Sequence, residues 1–236
     1  VIFGVMRCFL NIGNTHTQIR IVCNDGSHSD SVIPTAELDE SRLPSGAAIF
    51  AASVVKEWQI RLAAIGASLL NPDTVSLDFS LCDKSTIGAD RLANACHLAA
   101  SGPLPAVSLD FGTAITAEVV DAQKRFIGGF IAPGRAMLHH ALHQFTSKLP
   151  DVPLTDSLPP CPAGTTAEAI LAGTDFASVE FIRAFVGRLH ARYAGLPVRF
   201  VACGGDRAFY LRAVDFLEDG GSDFTLKGIE LAFQER

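Results

Sequence analysis

Two stretches of this chain carry the same pattern, and that duplication constrains the fold more than any other feature. Cys8 to Pro34 reads CFLNIGNTHTQIRIVCNDGSHSDSVIP, and Val107 to Pro133 reads VSLDFGTAITAEVVDAQKRFIGGFIAP. Each opens on an apolar strand, reaches a polar residue (Asn11 in one, Asp110 in the other), and turns through a Gly and a Thr. An alternating second strand follows, then a polar turn (Asn24-Asp25-Gly26; Asp121-Ala122-Gln123) and a third strand ending in Pro. Strand, tight turn, strand, turn, strand is the pattern of a three-stranded antiparallel meander.

Helical periodicity follows each copy. Val54–Leu70 and Ala89–Ser101 are expected to be helical after the first, Arg135–Phe145 and Thr166–Tyr193 after the second, the last interrupted at Gly173. Short apolar runs at Ala47–Ala52, Thr74–Phe79 and Val198–Cys203 read as further strands. A meander joined to helix-covered strands, twice over, gives two related α/β lobes. The SGPLP break at Ser101–Pro105 divides them into residues 1–105 and 106–236. In such a pair the first turns line opposite walls of one cleft and offer backbone N–H groups and hydroxyls to a phosphate chain. Glycine lets backbone approach an oxygen closely. An ordinary hairpin uses the same residue types; two copies in register favour the phosphate reading.

Composition narrows the partners. The chain of 236 residues is 48% hydrophobic and 19% charged, so it can bury a full core. A net charge of −6 and scattered Lys and Arg argue against nucleic acid or anionic lipid as partners. No apolar run reaches the roughly 20 residues of a membrane span. The opening VIFGVMRCFL has no basic leader and reads as a first buried strand, which points to the cytoplasm. The cysteines form no CxxC pairs and are expected as reduced structural thiols. His139 and His143 share a helix face with no carboxylate or Cys at ligand spacing, so a surface or interface role is expected rather than zinc.

Seven motifs in order then resemble the type III pantothenate kinases, of the actin/sugar-kinase superfamily. NIGNTHTQ (Asn11–Gln18) is similar to their first phosphate motif, and GADR (Gly88–Arg91) to the motif that holds pantothenate. LDFGTAITAEVVD (Leu109–Asp121) resembles the second phosphate motif, and GGFIAPG (Gly128–Gly134) the glycine-rich dimer segment. TTAEAILAG (Thr165–Gly173) is similar to a later substrate motif, CGGD (Cys203–Asp206) stands where the family contacts adenosine, and LKGIEL (Leu226–Leu231) resembles its closing helix.

The resemblance implies a duplicated actin-like ATPase fold of ribonuclease H-like lobes around a nucleotide cleft. It implies phosphorylation of pantothenate by ATP, the first step of coenzyme A synthesis, with Mg²⁺ or another divalent metal and K⁺ or NH₄⁺, in a homodimer. Asp90 would be the general base, and Gly88, Ala89, Arg91 and Thr166 would hold pantothenate. Asn11, Gly13, Asn14, Thr15, Gln18, Thr113, Gly204 and Gly205 would contact ATP, and Asp110 the monovalent cation. The residues' own chemistry agrees. A hydroxyl attacking phosphorus needs a nearby carboxylate, and an Arg fork such as that of Arg91 clamps a carboxylate such as pantothenate's. Taken alone, Asp90 also reads as an acid favoured at a helix N-terminus, and Asp110 as a carboxylate capping the turn after it.

Three positions depart from the family pattern. Asn11 stands where the first motif carries Asp, Gln18 where Lys or another phosphate-contacting residue is usual, and Leu81 where many members place a substrate-contacting Tyr. Two readings stay open: a working kinase, or a catalytically impaired homologue that binds nucleotide or a pantothenate-like ligand as a regulatory or accessory protein. A sugar or acetate kinase of the same superfamily is a third, disfavoured by the short chain. No G-x-x-x-x-G-K-[ST], H-E-x-x-H or G-x-S-x-G occurs.

Overall fold

A computed structural model describes residues 5–234. The first half runs β1 (Arg7–Ile12), β2 (His16–Val22), β3 (His28–Pro34), β4 (Ala48–Ser53), α1 (Lys56–Ala64), β5 (Ser68–Leu69) and α2 (Ala89–Ala100). The second runs β6 (Ala106–Phe111), β7 (Ala114–Val120), β8 (Phe126–Pro133), α3 (Arg135–Gln144), α4 (Thr166–Arg192), β9 (Arg199–Cys203), α5 (Arg207–Ala213), β10 (Glu218–Asp219) and α6 (Phe224–Gln234). Residues 5–102, 123–127 and 223–234 form one compact unit, and 103–122 with 128–222 the other.

The first unit holds a sheet in the order β3-β2-β1-β4-β5, with β1 antiparallel to β2 and parallel to β4. Successive side chains of a strand point to opposite faces, and β1 shows both faces buried. Cys8, Leu10 and Ile12 pack with Trp58 and Leu62 of α1, whereas Phe9 packs with Leu92 of α2 and with Leu226 and Ile229 of α6. Helix α6 touches α2 backbone to backbone: a Cβ on Gly228 would strike the carbonyl of Ala93. Thr225 Oγ1 donates to Asn94 Oδ1 (2.8 Å) beside that contact. Buried Arg20 on β2 reaches Asp30 on β3 together with Asp223 and Glu230, pinning α6 to the sheet edge.

The second unit repeats the plan. Its sheet runs β10-β9-β6-β7-β8, again with the first strand antiparallel to the second and parallel to the fourth. The duplication legible in the sequence is therefore a duplication of topology. Phe111, at the end of β6, stacks on Tyr210 of α5 (3.7 Å between ring centres), and Tyr210 Oη bonds Ser178 of α4 at 3.1 Å.

Four expectations change. The helix expected over Val54–Leu70 covers only Lys56–Ala64, because Gly66 adopts φ +77° and the chain leaves it as edge strand β5. The strand expected over Thr74–Phe79 is a 3₁₀ turn at Pro72–Thr74 followed by a single bridge, Asp78 to Arg125. Helix α4 runs unbroken through Gly173, where nothing crowds the backbone. The packing also differs from a division at 105/106: α6 and the β7–β8 turn belong with the first unit, through Gly228 against Ala93 and through Phe126 N on Asp78 O (2.9 Å).

Candidate active site

In the first unit the β1–β2 hairpin carries the first glycine turn. Gly13 N donates to His16 O (3.1 Å), and Thr35, just past β3, locks the turn by donating its hydroxyl to Gly13 O (2.8 Å) and its N–H to Thr15 O (2.9 Å). Asn14 and Thr15 are exposed at the tip. Asn11 and Gln18 face each other across the two strands. The Asn11 amide donates to Gln18 Oε1 (3.0 Å), and Asn11 Oδ1 is buried with no hydrogen-bond partner.

Helix α2 begins beside the same strand end. Val54 N donates to Ile12 O (3.1 Å), and a Cβ on Gly88 would lie 3.7 Å from Val54 Cγ1 and 2.7 Å from Asp90 Oδ1. Gly88, at the N-cap, thus leaves room for the Asp90 carboxylate. Ala89 opens the helix and Asp90 follows. Burial pushes the Asp90 carboxyl above the usual range, only partly offset by the Arg91 N–H on Oδ1 (2.8 Å) and by the Arg91 charge. A half-buried carboxylate held less acidic than normal suits proton abstraction from an alcohol. The Arg91 guanidinium lies 6.0 Å from the centre of the Phe126 ring.

In the second unit the β6–β7 turn presents Asp110, Gly112 and exposed Thr113. Two glycines from elsewhere press on it. Gly204, at φ +87°, has no room for a side chain, since a Cβ would collide with Asp110 Oδ1 and Phe111 O. Gly134 would collide with Gly112 O and Thr113 O, and its own N–H donates to Thr113 O (3.0 Å). Gly205 faces open space. Beneath them lies a group that sequence reasoning missed: Arg135, fully buried, bonded to Asp175 and Asp206 and stacked on Phe209 (3.4 Å). Burial raises the Asp206 carboxyl despite that cation.

Thr166 is exposed as the first residue of α4, after a Thr165/Glu168 capping box. It borders an apolar hollow of about 710 Å³ between α3 and α4, lined among others by Leu138, Leu142, Phe145 and Ile170. The structure thus gathers Gly88–Arg91 at one helix start and Asn11, Gly13, Asn14, Thr15 and Gln18 along one hairpin. Asp110, Thr113 and Gly204 gather about the second turn, with Thr166 apart at the start of α4.

His139 is not a surface residue: it is 2% exposed and lies between Val152 O (3.0 Å) and Asp175 Oδ1 (3.3 Å). Its packing with Asp175 was illegible because α4 supplies that partner from 36 residues away. Thr35 was signalled only by its place after the third strand, and Arg135 only by its place after Gly134. Among the described residues no three His, Cys, Asp or Glu side chains converge as metal ligands, and no helix is long and apolar enough to cross a membrane.

The family model for type III pantothenate kinase matches residues 8–188. The chain belongs to that family. A type III pantothenate kinase of Akkermansia muciniphila is 37% identical over 62% of this chain and 60% of its own length. One of Caulobacter vibrioides is 34% identical over 66% of this chain and 59% of its own. The matched stretch therefore spans about three fifths of these relatives. Solved structures give the fold. A Baf family protein of Campylobacter jejuni superposes with a TM-score of 0.69 at 18% identity, over 97% of this chain and 98% of that one. The activator of 2-hydroxyisocaproyl-CoA dehydratase from Clostridium difficile gives 0.55 at 12% (98% and 95%), and an archaeal actin homologue 0.51 at 12% (98% and 100%). This type III pantothenate kinase family member thus has the duplicated actin-like fold.

Proposed function

We propose that this protein transfers the γ-phosphoryl group of ATP to the primary hydroxyl of pantothenate, giving 4′-phosphopantothenate. The observation that carries the reading is Asp90: a half-buried carboxylate with its pKa raised by burial, at a helix start where Gly88 makes room for it. In this reading Asp90 takes the hydroxyl proton as the oxygen attacks phosphorus, and ADP leaves. Arg91, with Gly88 and Ala89, holds the pantothenate carboxylate, and Thr166 contributes a hydroxyl. The backbone and hydroxyls of Gly13, Asn14, Thr15 and Thr113 bind phosphate oxygens, with Asn11 and Gln18 alongside, and Gly204 and Gly205 meet the adenosine. Asp110, the acid of the second turn, would touch K⁺ or NH₄⁺.

A divalent ion, as the family implies, would neutralise phosphate charge. The residues at the first turn fit one poorly, because Asn11 is neutral where a carboxylate would help to hold it. No step is therefore assigned to a protein-held metal. Asn11 also favours a second reading, a nucleotide- or ligand-binding regulator without turnover.

Self-association fits the same reading. Ile131, Met137, Phe145 and Phe181 are all exposed apolar residues of the second unit, on or beside the Gly128–Gly134 segment, α3 and α4. We assign the homodimer contact to this unit, checked by gel filtration with light scattering. The kinase reading is tested by a coupled ADP-release assay with pantothenate. Pantothenate-dependent ADP release supports it, and saturable ATP binding without turnover moves the protein to the second reading.

A further inference from the structure

We infer that the Asn11–Gln18 amide pair releases nucleotide binding at the first turn from a requirement for divalent cation. The inference rests on the reading that this turn holds nucleotide phosphate.

The internal repeat supplies the comparison. The equivalent of Asn11 in the second copy is Asp110, an acid, so the two turns differ by one full charge at the same topological position. Beside a polyphosphate, an acid is repelled unless a cation bridges the two; an amide is not.

The pair is built rather than incidental. Asn11 and Gln18 are in direct antiparallel register, their amides bond at 3.0 Å, and both are half-buried. Asn11 Oδ1 is left buried without a partner, an arrangement that proteins seldom keep unless something else completes it. A donor arriving with the ligand, such as a water, an ammonium or a nucleotide hydroxyl, would complete it. Turning both amides over would keep their mutual bond with its direction reversed and put an N–H where Asn11 Oδ1 now lies. A carboxylate at position 11 has no N–H to offer. Neutrality and reversibility together let the turn accept a phosphate chain with or without its metal.

The experiment is calorimetric titration of ATP into the full chain, in Mg²⁺ and in EDTA, with pantothenate turnover assayed in parallel. The wild-type Kd should change by no more than about threefold between the two buffers. Asn11→Asp should lose at least about tenfold in EDTA and recover with Mg²⁺, and adding Gln18→Lys should restore the EDTA affinity. Gln18→Glu brings the same charge to the other member of the pair, and should show the same EDTA loss if Asn11→Asp fails to fold. A wild-type affinity that falls tenfold or more in EDTA overturns the inference, whatever the turnover. So does an Asn11→Asp or Gln18→Glu variant indifferent to EDTA. Metal-independent binding without turnover overturns the kinase reading alone. No binding in either buffer overturns both.

Discussion

Arg135 Nη1 donates to both oxygens of the Asp206 carboxylate, at 3.0 and 3.2 Å, while its Nε and Nη2 close on Asp175 at 2.9 Å each. Nη2 also reaches Thr155 O (2.9 Å). One buried cation thus joins the starts of α3 and α5 to the middle of α4. Those two starts hold the second turn: Gly134 N bonds Thr113 O (3.0 Å), and Asp206 N bonds Phe111 O (2.9 Å). The turn's shape is set from below, by a residue that no motif singled out.

Removing that cation should be severe. Arg135→Met leaves the fully buried Asp175 uncompensated and should cost about 3–5 kcal/mol in urea unfolding. Arg135→Lys should recover little, because an ammonium cannot form two parallel pairs of bonds. Recovery of wild-type stability by Lys would show that charge alone matters here.

The glycine pair of CGGD offers an internal control. Gly204→Ala forces a side chain into φ +87° and into Asp110 and Phe111, and should both destabilise the second unit by more than about 1 kcal/mol and weaken ATP binding. Gly205→Ala, facing open space, should change stability by less than about 0.5 kcal/mol. Equal effects of the two on melting temperature would contradict the packing described.

Asp90 can be separated from a plain helix-capping acid by the sign of its effect on stability. Its carboxyl is raised by burial in the folded state, so the native protein holds a proton that the unfolded chain releases. Stability therefore falls as pH rises from the ordinary carboxylate value through the raised one, and at neutral pH the charge is carried at a cost. Asp90→Asn should abolish turnover yet leave the protein as stable or more so at neutral pH. An acid kept for the helix dipole would instead lose about 0.3–1 kcal/mol on this change. Turnover in the wild type should fall as pH drops through the raised value, since the base must be ionised.

How much of this was legible in the sequence follows from how far each contact reaches. The repeat is local, and its periodicity gave both meanders, with Asn11 and Asp110 correctly at matching strand ends. Helices α2 and α3 were marked by apolar spacing within a dozen residues. Strands β5 and β10 were not, because two residues carry no periodicity. Nor was the seating of α6 on α2, which turns on Gly228 meeting Ala93. At the candidate site the motif residues were readable, but Thr35, Arg135 and Asp175 act through partners 20 to 71 residues away. The Asn11–Gln18 bond lay between the two, since each substitution stood out and only the register made them a pair.

Everything proposed for this site turns on pantothenate phosphorylation with Asp90 as the base. Its most direct measurement is mass-spectrometric detection of product after incubating the protein with pantothenate and ATP, with Mg²⁺ and K⁺ or NH₄⁺ present. The wild type should yield 4′-phosphopantothenate and Asp90→Asn none, although that variant still binds ATP. Product from both proteins alike, or from neither at saturating substrate, would contradict it.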